Sequence, residues 1–362
     1  MDAEQPHSRA DGVFEGGGVK GIAFAGAVAA AEQHAGVREW VNVAGTSAGA
    51  IIASLLVAGY DADGLQWILK AAKYDRFPDC GVGGIKVGGL FNAIARMRGA
   101  APGLYFKTCL AEQLQQSPLA RTLGKKTLTF GDVKRTDLPR QPAGMSDAKY
   151  LRAGYRLTVI ASGITSGQML ILPEDLPSFQ DSQGNPYEID EFPIVDAVRM
   201  SMSYPFVFAP VELGRNGKPY FVVDGGLLSN FPIWLFDSPN PIRPTWGFRL
   251  HPGSSLTEGL PFRNIPRPFW EVPLLKSMFS AATEAWDRRE ELQAVGSRTV
   301  TIPTLGVATT DFNLSAEDAT ALYRSGLDTT CAFFTNPSQQ AYMNSFGASP
   351  NNPHLDPNDE LP

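Results

Sequence analysis

The chain has 362 residues, 43% hydrophobic and 19% charged, enough to bury the core of one large domain or two ordinary ones. A formal net charge of −6 argues against a nucleic-acid binder, which carries a basic excess, but not against contact with a membrane surface, where local patches decide. Cys80, Cys109 and Cys331 are odd in number, scattered and outside any C-x-x-C pair, which argues against a disulfide framework or a structural zinc site and fits a reducing, cytoplasmic setting.

In chain order, Met1 to Asp11 is polar and lacks the basic-then-apolar order of a secretory leader. No run reaches the roughly 18 apolar residues that suggest a membrane span. Val13-Phe14 reads as a short strand, Gly16-Gly17-Gly18-Val19-Lys20-Gly21 as a turn, and Ile22 to His34 as a helix. Val41 to Ala44 is a second strand, Gly45-Thr46-Ser47-Ala48-Gly49 a second turn, and Ala50 to Ala58 a second helix. This β-turn-α, β-turn-α order predicts a parallel α/β sheet. Asp61 is placed to cap a third helix with Leu65, Ile68 and Leu69 on its apolar face.

The segment 80–105 breaks the pattern. Glycines alternate with Leu90, Phe91, Ile94 and Met97 and with Arg96 and Arg98, which reads as a lid over a site or as a surface loop with a short helix. Arg121 to Tyr155 is polar and is expected to cross the surface. Arg156 to Ile164 and Met169 to Leu172 read as strands joined by a hairpin turn at Thr165 to Gln168. Pro193 to Met202 reads as a helix, Tyr220 to Val223 as a strand running into Asp224-Gly225-Gly226, and Thr245 to Leu250 as another strand. Glu271 to Ala294 and Ser315 to Phe334 are predicted helices. Residues 11–335 read as one domain without repeat or linker. The segment 336–362, rich in Pro, Asn and Ser, reads as a loosely held tail.

A serine between two glycines, wedged between strand and helix, is the nucleophile-elbow pattern. Such a turn lifts the Ser47 hydroxyl into the open at a helix N-terminus, where an anionic intermediate is favoured. The glycine turn at Gly16 to Gly21 ends the neighbouring strand. In a parallel sheet the two turns face one crevice, so the backbone N–H groups of the first are placed near Ser47. Gly16-x-Gly18-x-x-Gly21 also fits a dinucleotide fingerprint, but the acidic ribose partner that motif wants would fall near Ala44, inside the serine turn. A phosphate-binding P-loop is excluded, because no Lys-Ser or Lys-Thr pair follows at the needed spacing.

Two groups remain open as the base. His251 follows the Thr245 strand, and the order Ser47, Asp224, His251 matches the α/β-hydrolase triad. Against it, only one βα unit precedes Ser47, whereas several strands precede the nucleophile in that fold. The alternative is Asp224 itself, a carboxylate at a strand end whose basicity rises if it is desolvated. An Asp-Gly turn is common in its own right.

Together these motifs resemble the patatin-like phospholipase family. The resemblance rests on Gly16 to Gly21 as the Gly-Gly-Gly-x-Arg/Lys-Gly loop, Gly45 to Gly49 as the Gly-x-Ser-x-Gly elbow, and Asp224 to Gly226 as Asp-Gly-Gly. Ser201 to Pro205 also looks like the family's Ser-x-x-x-Pro segment, and beyond Pro232 no motif carries over. The resemblance implies a three-layer α/β/α sandwich around a mostly parallel sheet and a Ser-Asp dyad, with Ser47 as nucleophile activated by Asp224. It implies an oxyanion hole from the backbone of Gly16, Gly17, Gly18 and Val19, with Gly21, Gly45, Gly49, Gly225 and Gly226 as turn glycines. It implies hydrolysis of phospholipid or other acyl-ester lipids with no cofactor and no metal. Some members are gated by activators, and no residue here says which regulation applies. Phe91, Ile94, Met97, Trp270, Leu274, Leu275, Met278 and Phe279 are expected either in the core or on a surface touching acyl chains or a membrane. A non-phospholipid esterase and a catalytically silent lipid-binding protein are the other readings.

Overall fold

The computed structural model describes residues 8–77, 79, 101–138, 140–141, 145–205, 207–237, 241, 243–251 and 298–347. The proposed lid through residue 100, the helix expected over 271–294 and the eight candidate interfacial residues lie outside them. The elements are β1 (Arg9–Phe14), α1 (Ile22–His34), β2 (Glu39–Thr46), α2 (Ala48–Val57), α3 (Ala62–Ala71), α4 (Leu104–Gln116), α5 (Pro118–Leu123), α6 (Asp147–Ala153), β3 (Leu157–Gly163), β4 (Gln168–Leu172), α7 (Ile194–Ser201), β5 (Val211–Arg215), β6 (Lys218–Asp224), β7 (Thr245–His251), β8 (Thr299–Pro303), α8 (Ala316–Thr335) and α9 (Pro337–Gly347).

The eight strands form one sheet. Strands β3, β2, β1, β7 and β8 run parallel in that order, and β4, β5 and β6 join antiparallel at the β3 end. Alternation along the strands sorts side chains to two faces. Phe14, Val43, Val159, Trp246 and Phe248 enter the large core beneath the helices. Val13, Ala44 and Ile160 face a smaller core closed by Phe231, Ile233, Leu235 and Phe236. The expected three-layer order therefore holds, with one outer layer thin among the described residues.

The register of β3 positions the site. Residues 159–160 pair with both β2 and β4, so those two strands lie on opposite edges of β3. Residues 161–163 pair with both β4 and β6, so β6 lies on the same edge as β2. Thr46, the last residue of β2, pairs with Ile160; Asp224, the last of β6, pairs with Ala161. The two strands thus arrive from opposite directions and meet end to end along one edge.

The helices follow the sequence where its signals are strong. Asp61 caps α3 by accepting from the Gly64 N–H at 2.9 Å, and Leu65, Ile68 and Leu69 are buried as expected. Helix α1 is rich in Ala and Gly because it runs backbone to backbone against α8: a Cβ at Gly26 would lie 2.0 Å from the Tyr323 carbonyl, and one at Gly326 1.9 Å from that of Ala23. Helix α4 lies in a stretch that carries no strong sequence signal; its buried stripe, Phe106, Leu110 and Leu114, is narrow within a polar sequence. Within the segment expected as a tail, the described part, Pro337–Gly347, is helical. Asn336 accepts from the Ser338 N–H at 3.0 Å, a proline takes the first helical position, and Tyr342 packs edge-on against Trp246 at 5.5 Å.

Candidate active site

Ser47 sits between β2 and α2 with φ 53° and ψ −119°, a backbone conformation an L side chain rarely adopts. The flanking glycines make it sterically accessible. A Cβ at Gly45 would lie 2.2 Å from the Gly49 carbonyl, and one at Gly49 would lie 2.1 Å from the Phe14 carbonyl. Three elements are thereby pressed together at main-chain distance. The Ser47 N–H donates to Ser201 Oγ at 2.8 Å, and Ser201 Oγ donates in turn to the Ile160 carbonyl. Ser201, at the end of α7, thus fastens the elbow to β3. The Ala48 N–H opens α2 with no acceptor among the described residues, as the first turn of a helix requires.

Asp224 is buried at the end of β6, where β6 abuts β2. Its Oδ1 accepts from the Gly226 N–H at 2.8 Å, and its Oδ2 is buried with no hydrogen-bond partner. Burial raises its pKa from 3.8 to about 6; the Ser47 hydroxyl and the Gly226 N–H pull it partly back. Ser47 thus lies close enough to Asp224 to affect its pKa, with no hydrogen bond joining the two side chains. Sequence order alone separates the two groups widely; the seam on β3 brings them together.

The glycine loop lies beside them, since a Cβ at Gly16 would approach Ser47 Cβ to 3.3 Å. Its four amides are not equivalent. The Gly16 N–H donates to the Asn230 carbonyl at 3.1 Å and the Val19 N–H to the Thr309 carbonyl at 3.3 Å. Of the four expected donors, Gly17 and Gly18 keep N–H groups without an acceptor among the described residues, while Gly16 and Val19 are engaged in holding the loop. Gly18 has φ 57° and fits under the Thr309 carbonyl, which a Cβ would meet at 2.1 Å. Lys20 is half-buried, and burial lowers its pKa against the pull of Glu15.

A cavity opens at Ser47, with about 590 Å³ of empty space counting the part open to solvent. Its lining is almost wholly apolar: Val19, Ile22, Ala48, Ile51, Ile52 and Leu69 on one group of elements, and Tyr74, Phe77, Met202, Tyr204, Phe208 and Phe312 on others. His251 is not among the lining residues. It is exposed at the end of β7, and Asp224 makes no hydrogen bond to it. The structure therefore brings Ser47, Asp224 and the glycine loop together and leaves His251 out. Among the described residues no cluster of His, Cys, Asp or Glu could hold a metal ion.

Two positioning groups escape sequence reasoning. Asn230 donates through Nδ2 to the Gly16 carbonyl and to Glu15 Oε1, both at 3.2 Å, while its own carbonyl takes the Gly16 N–H. Next to it, the Ser229 carbonyl accepts from Thr46 Oγ1 at 3.1 Å. The turn after Asp224 is thereby tied to both the glycine loop and the elbow. Ser201 belongs to a stretch flagged only by its motif; its role appears when its partners are known. Ser201→Ala strips an acceptor and a donor from two buried backbone groups and is expected to lower stability by about 2 kcal/mol. Urea denaturation checks this, and the folded fraction is expected to lose activity as the elbow loosens.

Residues 12–237 match the family described as patatin-like phospholipase. The chain is 33% identical over 317 residues to the uncharacterized protein YqhO of Bacillus subtilis (strain 168), covering 87% of this chain and 94% of that one. Among solved structures it is similar to VipD from Legionella pneumophila (TM-score 0.48, 17% identity, 92% of this chain and 67% of that chain). It is also similar to ExoU in its complex with SpcU from the type III secretion system of Pseudomonas aeruginosa (TM-score 0.46, 18% identity, 93% of this chain), and spans 52% of that chain. On the family match and the identity to YqhO, the chain belongs to the patatin-like phospholipase family.

Proposed function

We propose that this protein hydrolyses acyl esters of lipids through a Ser47–Asp224 pair and an acyl-serine intermediate. The observation that carries the reading is a strained serine at the wall of an apolar cavity, facing a buried carboxyl with an unpartnered oxygen. Asp224 accepts the Ser47 proton as Oγ attacks the ester carbonyl carbon. The negative oxygen that forms is met by the N–H groups of Gly17, Gly18 and Ala48, which are fixed before the reaction begins. The carbon–oxygen bond to the leaving group breaks, and the alcohol or lysolipid departs with the proton from Asp224. Water then attacks the acyl-serine, gives its proton to Asp224, and Ser47 leaves the fatty acid with that proton restored. An aspartate with an ordinary pKa near 4 is a weak base for this step; the rise to about 6 narrows the gap.

Access to lipid by peripheral contact with a membrane is part of the same proposal. No helix among the described residues is long and apolar enough to cross a membrane.

The test compares wild type, Ser47→Ala and His251→Ala on phosphatidylcholine, monoacylglycerol and nitrophenyl butyrate, with products identified by mass spectrometry. Ser47→Ala is expected to reduce turnover by at least about 10³-fold, and His251→Ala to leave it within a few-fold. Hydrolysis that survives Ser47→Ala, or a fluorophosphonate that fails to label Ser47 in wild type, defeats the reading. The pattern across the three substrates assigns the ester class.

A further inference from the structure

The family match ends at residue 237, yet Thr309, Thr310 and Phe312 line the cavity at Ser47. They belong to the connection between β8 and α8, and that connection is built rather than loose. Its root is held by Thr304, whose N–H and Oγ1 donate to the His251 carbonyl at 2.8 and 3.3 Å. Its turns are closed by Val307 N–H on the Thr304 carbonyl, Asp311 N–H on Ala308 and Phe312 N–H on Thr310. Thr309 docks it on the glycine loop by taking the Val19 N–H and covering Gly18. The distance from this segment to Ser47 is therefore set by backbone contacts.

Phe312, half-buried, meets the buried Phe208 edge-on with centroids 6.4 Å apart. Phe208 is itself pinned. The Arg199 guanidinium lies 5.6 Å from its ring centre and is anchored by Ser203 Oγ and the carbonyls of Pro102 and Ala209. One aromatic wall is thus immovable, and the other is delivered by a segment that the family match does not include. A rigid apolar wall discriminates by size, because each methylene that fits or fails to fit changes the binding free energy.

We propose that Phe312, held against Phe208 by the docked 304–312 segment, sets the length of acyl chain that this cavity accepts. The proposal rests on the reading of the cavity as the acyl site. Truncating Phe312 opens the wall toward longer chains, and enlarging it closes the wall earlier.

The experiment has two arms. In the first, kcat/KM is measured for wild type, Phe312→Ala and Phe312→Trp on nitrophenyl esters of four, eight, twelve and sixteen carbons. The ratio of sixteen- to four-carbon activity is expected to rise about tenfold in Phe312→Ala and to fall in Phe312→Trp. In the second, free fatty acids of eight to sixteen carbons displace a dansyl-labelled fatty acid from the same three proteins, and the affinity ranking is expected to shift in the same sense. Chain-length profiles that superimpose across the three proteins in both arms overturn the proposal. A shift in binding with no hydrolysis by wild type supports the gauge while removing the hydrolase reading.

Discussion

Asp224→Asn is expected to make the folded protein more stable at pH 7 while abolishing ester hydrolysis. The carboxyl titrates near 3.8 in an unfolded chain and near 6 when buried here, so the folded state holds its proton more tightly. A raised acid pKa favours folding below about pH 4 and loses that favour as pH climbs through about 6. At neutral pH the ionised, partly unsatisfied carboxylate therefore costs about 3 kcal/mol. Asparagine keeps the Oδ1 acceptor for the Gly226 N–H and replaces the orphaned Oδ2 with a neutral donor. Urea denaturation at pH 4 and pH 7 checks the sign: the two proteins converge at pH 4, and the variant gains about 2 to 3 kcal/mol at pH 7. Under the proposed mechanism the same ionisation governs rate. The base must be unprotonated, so kcat/KM of wild type is expected to fall below about pH 6, in the window where stability rises. An activity profile flat from pH 5 to 8 would assign the proton transfer to another group.

Gly49→Ala is expected to carry a large structural penalty. The added Cβ would lie 2.1 Å from the Phe14 carbonyl oxygen and 2.7 Å from that of Glu15, and both obstacles are main chain. Relief requires β1 and α2 to part, which drags the glycine loop away from Ser47. A destabilisation above about 3 kcal/mol is expected, with no activity in any folded remainder. Gly124→Ala is the internal control: unlike Gly49 it has a positive φ, at 64°, but nothing lies within 4 Å, so only the conformational cost of about 1 kcal/mol applies. Thermal melts and denaturant titrations of the two variants separate crowding from conformation.

The extent of each reading follows from the range of its signal. Helix α3 and the β3–β4 hairpin were legible because periodicity, capping and turn chemistry are local. The elbow was legible because Gly45 and Gly49 are demanded by contacts inside a five-residue turn and its neighbouring strand. The meeting of Ser47 with Asp224 was suggested only by the joint presence of three motifs; its physical cause, the shared edge of β3, is a register that no local pattern encodes. Asn230 reaches Gly16, and Ser201 reaches Ser47, across most of a domain's length of chain, and each is an ordinary polar residue in its own neighbourhood. The loss of Gly16 and Val19 as free donors has the same origin, since their acceptors come from the distant Asn230 and Thr309. Helix α9 was hidden because its composition is that of a linker, and what holds it, Trp246 on β7 against Tyr342 and the core around Met343, is distant in sequence.

The end-to-end meeting of β2 and β6 on β3 has a consequence for motion. Groups on separate elements drift relative to one another when a protein breathes, and catalytic spacing then suffers. Here Ser47 directly follows Thr46 and Asp224 ends β6, and those two strand ends pair with adjacent residues of a single strand, Ile160 and Ala161. Any bending or sliding of that strand carries both passengers together.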